Sequence, residues 1–145
     1  VYKRQKIPHR WEFRHDHIGY NYRMPNINAA LGCAQLENLD RYVADKRETA
    51  ACYAEFFKGK EDITFFTEPA DCKSNYWLNA VVLKDKAAQL DFLEYTNDHG
   101  VMTRPVWELM NRLPMFEHCE TDGLENTEWL ADRGVNIPSS VRLEN

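Results

Sequence analysis

The feature that most constrains this chain is one long apolar stripe. From Ile27 to about Lys58, apolar residues recur at spacings of three, four and seven: Ile27, Leu31, Ala34, Leu36, Leu39, Val43, Ala50, Tyr53, Ala54 and Phe57. That period predicts a single helix, with Asn26 or Asn28 as its cap and Gly59 as its stop. Ala29, Ala30, Gly32, Cys33 and Ala34 are small enough for close backbone approach, so this end is expected to pack tightly against another element or subunit. Glu37, Asp40, Arg41, Asp45, Lys46, Arg47 and Glu48 are read as a solvated charged face.

A stripe of this kind has to be covered by something apolar. The best strand in the sequence is Asn75–Leu83, an aromatic and β-branched run. Ile63–Phe66 predicts a shorter one. Asp85 can cap a second helix over about Lys86–His99, ended by Gly100, and Val101–Thr103 predicts a third strand halted by Arg104-Pro105. Short helical pieces are expected near Trp107–Arg112 and Thr127–Arg133, then an extended Val135–Pro138. The pattern is α+β: a small sheet packed against helices.

Charge is uneven along the 145 residues, whose net charge is −5. Residues 1–23 carry a balance of +4 and the remainder −9. A basic head can bind nucleic acid or phosphate, or meet acids elsewhere in the fold; the acidic body argues against extended DNA contact. No apolar run approaches the ~18–20 residues of a membrane span, and no secretory signal is read at the head, so a cytoplasmic protein is expected. Cys33, Cys52, Cys72 and Cys119 have no zinc-ligand spacing and are expected to be reduced and partly buried.

Motifs of general kind are missing. His9, His15, Asp16 and His17 match no helical ligand pair, so no metal is expected, and Ser74, Ser139 and Ser140 lack a nucleophile-elbow context. The densest polar-aromatic cluster is Gly19-Tyr20-Asn21-Tyr22-Arg23-Met24-Pro25-Asn26, just before a predicted helix N-terminus that favours an anion. It reads either as an anion-binding loop or as a hairpin with a locally paired arginine. Ser74-Asn75-Tyr76-Trp77 and Thr103-Arg104-Pro105-Val106-Trp107 are further clusters. There a strand-end Trp is read as core more readily than as a ligand platform, and Arg104 as the better binding residue. Asn136, Ser139 and Ser140 either donate hydrogen bonds or shape a turn.

The run His15-Asp16-x-Ile18-Gly19-Tyr20-Asn21-Tyr22-Arg23-Met24-Pro25-Asn26-x-Asn28-Ala29-Ala30-Leu31-Gly32-x-Ala34-Gln35-Leu36-Glu37 resembles the signature of the DegT/DnrJ/StrS sugar aminotransferases. The likeness continues through Lys46-Arg47, Asn75-Tyr76-Trp77-Leu78-Asn79, Arg104-Pro105-x-Trp107 and Asn136-Ile137-Pro138-Ser139-Ser140, covering about residues 8–142. It implies the C-terminal small domain of a fold-type I, aspartate-aminotransferase-like enzyme: a long helix, then a small antiparallel sheet with packing helices. It implies pyridoxal 5'-phosphate as cofactor, glutamate as amino donor, and the C4 ketone of a nucleotide-linked 4-keto-6-deoxy sugar as acceptor, for surface-glycan synthesis. The later stretches are similar to the branch acting on UDP- or GDP-linked N-acetylhexosamines, on routes to bacillosamine or legionaminic acid.

Carried over residue by residue, the resemblance assigns Asn21 and Arg23 to the cofactor phosphate across a homodimer interface. It assigns Tyr20, Tyr22, Tyr76, Arg104 and Trp107 to the substrate. The family's cofactor-linked lysine lies upstream of these motifs, and neither Lys3 nor Lys6 has its surroundings, so the 145 residues alone are expected to be inactive. The implied organisation is a foreign remnant at 1–5, an inter-subunit loop at 6–26, a linking helix at 27–59, and a truncated α+β domain at 60–145. No nucleic-acid or membrane partner is expected. The alternative is a non-catalytic, regulatory or dehydratase relative of the same family.

Overall fold

The computed structural model describes residues 22–142. Two compact units meet in sequence at Asn38. The described part of the first is Tyr22 onward and holds α1 (Asn26–Glu37). The second, from Leu39, holds α2 (Leu39–Phe57), β1 (Ile63–Phe65), β2 (Asn79–Leu83), α3 (Lys86–Asp98), β3 (Arg104–Pro105), α4 (Glu125–Ala131) and β4 (Gly134–Ile137).

The apolar stripe is thus divided between two helices. Asn38 makes the break: its side-chain amide donates to the Ala34 carbonyl at 2.9 Å and its backbone N–H to Gln35 O at 3.2 Å. A short polar side chain competing for helix carbonyls in this way is why Asn disfavours helix interiors. Neither Asn26 nor Asn28 caps α1; Pro25 holds the N-cap position and makes no side-chain cap hydrogen bond. Gly59 does end the second helix as expected, in the left-handed conformation at φ +74°.

Four strands form one antiparallel sheet in the order β1-β2-β4-β3. Val81 stands opposite both Phe65 and Val135, and Asn79 opposite Ile137. Directly paired residues share a face, so Phe65, Val81, Leu83, Val135 and Ile137 form one apolar surface. Ala50, Tyr53, Ala54 and Phe57 of α2 pack there, with Ala88, Phe92 and Leu93 of α3. The opposite face carries Ala80, Asn136 and Arg104.

Helix α3 follows the sequence closely. Asp85 Oδ1 accepts the Ala88 N–H at 2.8 Å, and Gly100, at φ +76°, ends the helix. Gln89 is fully buried beneath it and donates to Ala131 O and Gly134 O at 2.9 and 2.8 Å, closing α4 onto β4. The third strand, however, falls on Arg104–Pro105 and not on Val101–Thr103. The Val101 N–H is taken by Thr96 O, and Thr103 is tied to α3 through its hydroxyl and carbonyl. Pro105 has no N–H to offer, which an edge strand tolerates. The helical pieces shrink or shift too: Met110–Arg112 is a single 3-10 turn and α4 covers 125–131.

The cysteines depart from expectation. All four are free and exposed, not partly buried.

Gly134 marks the tightest approach. A Cβ there would lie 2.9 Å from Leu130 O and 2.9 Å from Val106 Cγ1. Gly134→Ala is therefore expected to destabilise the domain by about 1–3 kcal/mol through overpacking, read as a lower urea midpoint. An unchanged midpoint would show that β4 and the end of α4 can separate at no cost.

Candidate functional site

Residues 45–47 of α2 were read as solvated, yet all three side chains are half-buried and reach other segments. Lys46 Nζ donates to the carbonyls of Trp77 (3.3 Å) and Ser139. Arg47 forks onto Glu68 at 2.7 and 3.0 Å and donates to Ser74 O at 2.6 Å. Asp45 accepts the Arg142 N–H and Nε at 2.9 and 2.8 Å. One turn of helix thereby holds down the 66–78 loop and the 138–142 segment.

The 66–78 loop shows why Asn75–Leu78 is not strand. Ser74 Oγ accepts the Tyr76 N–H at 2.9 Å and Asn75 Oδ1 accepts the Trp77 N–H at 3.0 Å. Such local side-chain bonds offer the backbone an alternative to a ladder. Tyr76 takes φ +46°, unusual for a bulky residue. Its ring stacks on Phe65 at 6.4 Å and lies under the Arg47 guanidinium, while its hydroxyl accepts the Glu68 N–H at 3.2 Å. The consequence of this turn is that Trp77 points out of the core, 63% exposed.

Trp77 and Trp107 then face each other with ring centroids 6.4 Å apart and planes tilted by 59°. Between them and the β3 edge lies a groove of about 530 Å³, also lined by Met102, Arg104, Val106 and Asn136. Arg104 and Asn136 are direct cross-strand partners, so the sheet register brings a cation and an amide to one face. Trp107 is 78% exposed, and Glu108 at the rim is 3.8 Å from Arg112. Two tilted aromatic planes beside a guanidinium and an amide suit a flat ring bearing an anionic group. A second hollow, about 450 Å³, is lined mainly by the 108–127 connection, including Met110, Phe116 and Leu124, and takes none of the residues singled out from the sequence.

Of the seven residues assigned from sequence, the structure brings Arg104 and Trp107 together. Tyr76 is built into the loop and does not line the groove. Tyr22 and Arg23 are exposed in the first unit, and Tyr20 and Asn21 lie outside the described residues. Trp77, read as core, is instead a wall of the groove, and Asn136 lines it. Ser139 shapes the turn after β4, its Oγ accepting the Asn79 N–H at 2.8 Å and donating to Ile137 O at 2.6 Å. Met102 was missed because exposed methionine carries no periodic signal. Among the described residues no group of acids, cysteines and histidines is placed to hold a metal. Nor is any described helix long and apolar enough to cross a membrane.

The fold recurs in solved structures. Helicobacter pylori PseC, an aminotransferase of pseudoaminic acid biosynthesis, superposes with a TM-score of 0.81 at 20% identity, over 95% of this chain and 38% of that one. The aminotransferase TlmJ from Streptoalloteichus hindustanus gives 0.80 at 21%, over 93% and 36%. The fold is that of the small α+β domain of pyridoxal-phosphate aminotransferases.

The sequence is more specific. Residues 3–145 match the profile of the DegT/DnrJ/EryC1/StrS aminotransferase family, and the chain belongs to that family. Lys3–Gln5, read from sequence as foreign, fall inside this match. GDP-perosamine synthase of Escherichia coli O157:H7 is 32% identical over 99% of this chain and 39% of its own length. A putative pyridoxal phosphate-dependent aminotransferase of Bacillus subtilis, EpsN, is 31% identical over 90% and 35%. The chain thus spans between a third and two-fifths of these curated relatives' length.

The family's cofactor is pyridoxal 5'-phosphate, and the described residues fit its anionic end. Arg23 is exposed two residues before the N-cap of α1, and Pro25 at that N-cap offers no side-chain hydrogen bond to the first turn. A helix N-terminus whose N-cap residue supplies no side chain is chemically suited to phosphate.

The clamp on the 66–78 loop carries a pH signature. Glu68 is held from the ordinary 4.5 down to about 2, first by the Arg47 hydrogen bonds and then by the Ser74 N–H. A carboxyl lowered on folding stabilises above its unfolded value and loses that contribution as pH falls toward the folded one. Melting temperature should therefore drop between about pH 4.5 and pH 2, and Glu68→Gln should flatten that part of the profile. A variant with the parental slope would show that Glu68 does not control acid stability.

Proposed function

We propose that this chain is the C-terminal part of a pyridoxal-phosphate enzyme that moves an amino group from glutamate to the C4 ketone of a nucleotide-linked 4-keto-6-deoxy sugar. The observation that carries this reading is the groove, where Trp77 and Trp107 flank a face bearing Arg104 and Asn136. Family membership supplies the chemistry and the groove supplies a place for the nucleotide.

In this reading each side chain has a distinct task. Trp107 offers an exposed ring face on which the base stacks, a contact worth about 1–3 kcal/mol, and Trp77, tilted against it, backs that ring. Arg104 takes a phosphate oxygen and Asn136 offers its amide to a polar edge. Asn21 and Arg23 hold the cofactor phosphate of the neighbouring subunit in a homodimer; α1, which buries none of its residues, is consistent with such a partner. Bound pyridoxal phosphate supplies the electron sink on which amino-group transfer depends. The residues of this chain bind and orient, and the proton-moving lysine belongs to the preceding domain.

The acceptor sugar follows one of two branches. The Asn75–Asn79 and Arg104–Trp107 motifs favour an N-acetylhexosamine, as on bacillosamine or legionaminic acid routes. The GDP-perosamine synthase relatives favour a GDP-linked sugar. A second reading, dehydration in place of amination, rests on a 25% match to the Escherichia coli GDP-4-keto-6-deoxy-D-mannose 3-dehydratase over 82% of this chain. The residue at the family's lysine position separates the two: lysine for amination, histidine for dehydration.

The test is a steady-state assay of the full-length enzyme with glutamate and UDP- or GDP-linked 4-keto-6-deoxy sugars. Trp107→Ala should raise KM for the preferred sugar nucleotide about tenfold or more while leaving KM for glutamate unchanged. Equal effects on both substrates, or none on either, would contradict a nucleotide in this groove.

A further inference from the structure

Arg104 is not simply an exposed arginine. Its Nη1 donates to Asn97 Oδ1 at 3.0 Å and to Thr103 O at 2.8 Å. Its Nη2 and Nε make no hydrogen bond among the described residues. One edge of the guanidinium is therefore anchored to the protein and the other is left for a ligand.

The anchor has its own support. Asn97 Nδ2 donates to Leu93 O at 2.8 Å, to Thr103 Oγ1 at 3.0 Å and to Thr103 O at 3.2 Å. Those three acceptors fix which way the amide lies, because the flipped form would set Oδ1 against two carbonyls and Nδ2 against a cation. The Thr103 hydroxyl meets that of Thr96 at 2.6 Å, and Thr96 Oγ1 lies 2.7 Å from Phe92 O. Since each hydroxyl has one proton, the chain runs one way: Asn97 to Thr103 to Thr96 to the Phe92 carbonyl. Thr103 is buried at 1% exposure and Thr96 is half-buried, so the inner end of this network is set in the domain, while Asn97 and Arg104 stand at its surface.

We propose that Asn97 is a positioning residue for Arg104: the last turn of α3 fixes the guanidinium so that its open edge meets the anionic part of the ligand in the Trp77–Trp107 groove. This inference rests on the nucleotide-binding role of the groove proposed above. The benefit is entropic. A long side chain immobilised in advance loses less rotamer freedom when the ligand arrives. Asn97 itself makes no contact with the ligand.

The experiment is a double-mutant cycle on the chain, with GDP and UDP as probes and binding followed by isothermal titration. Arg104→Ala should weaken the better-bound nucleotide by about tenfold or more. Asn97→Ala should weaken it about threefold to tenfold when Arg104 is present, and not at all in the Arg104→Ala background. Asn97→Ser replaces it in the cycle should Asn97→Ala fail to fold. An Asn97 effect of equal size in both backgrounds is a general structural effect and overturns the proposal. So does full affinity in an Asn97 variant when Arg104→Ala has lost it. Unchanged affinity in Arg104→Ala itself overturns the groove reading, and the positioning role with it.

Discussion

The pairing of β2 with β4 is the constraint on which the rest of the domain depends. Val81 opposite Val135 and Asn79 opposite Ile137 set one face of the sheet against α2 and α3. The same register necessarily turns Ala80 and Asn136 to the other face, and β3 pairing then adds Arg104 beside Asn136. A slip of one residue would move Asn136 into the core and a valine out of it, since the side-chain period of a strand is two. Core and groove are two faces of one register.

Polar side chains from helices complete what the register begins. Lys46 and Arg47 are long enough to lie along the half-buried flank of α2 and still reach the carbonyls of Trp77, Ser139 and Ser74. They hold the loop whose tight turn sends Trp77 outward. At the other side, Thr96 and Asn97 close the end of α3 onto Thr103 and Arg104. The two walls of the groove are thus fixed by two different helices.

Much of the fold was legible in the sequence, because apolar period and capping chemistry are local. Asp85 and Gly100 bound α3 as read, β2 lies within its predicted run, and β4 overlaps its own, starting one residue earlier at Gly134. The break at Asn38 does leave a trace in the stripe, which steps by two between Ala34 and Leu36, so that Leu36, Leu39 and Val43 fall on a different helical face from Ile27, Leu31 and Ala34. Trp77 was misread because its exposure depends on the Ser74 and Asn75 turn bonds, not on the aromatic composition of the run. Arg104 and Trp107 stood out as a motif, whereas Asn97 matters only through a contact seven residues away in sequence. The charged face at 45–47 looked solvated because sequence shows where a helix is polar, not which loop crosses it.

The central claim is that the groove between Trp77 and Trp107 receives the nucleotide. Heteronuclear NMR of the chain titrated with GDP and UDP tests it most directly, through the indole N–H signals of the tryptophans and the Nε–H of Arg104. The account predicts saturable shifts at Trp77, Trp107 and Arg104, with Trp129 unmoved. Shifts confined to the 108–127 connection, or absent from both groove tryptophans at saturation, would contradict it.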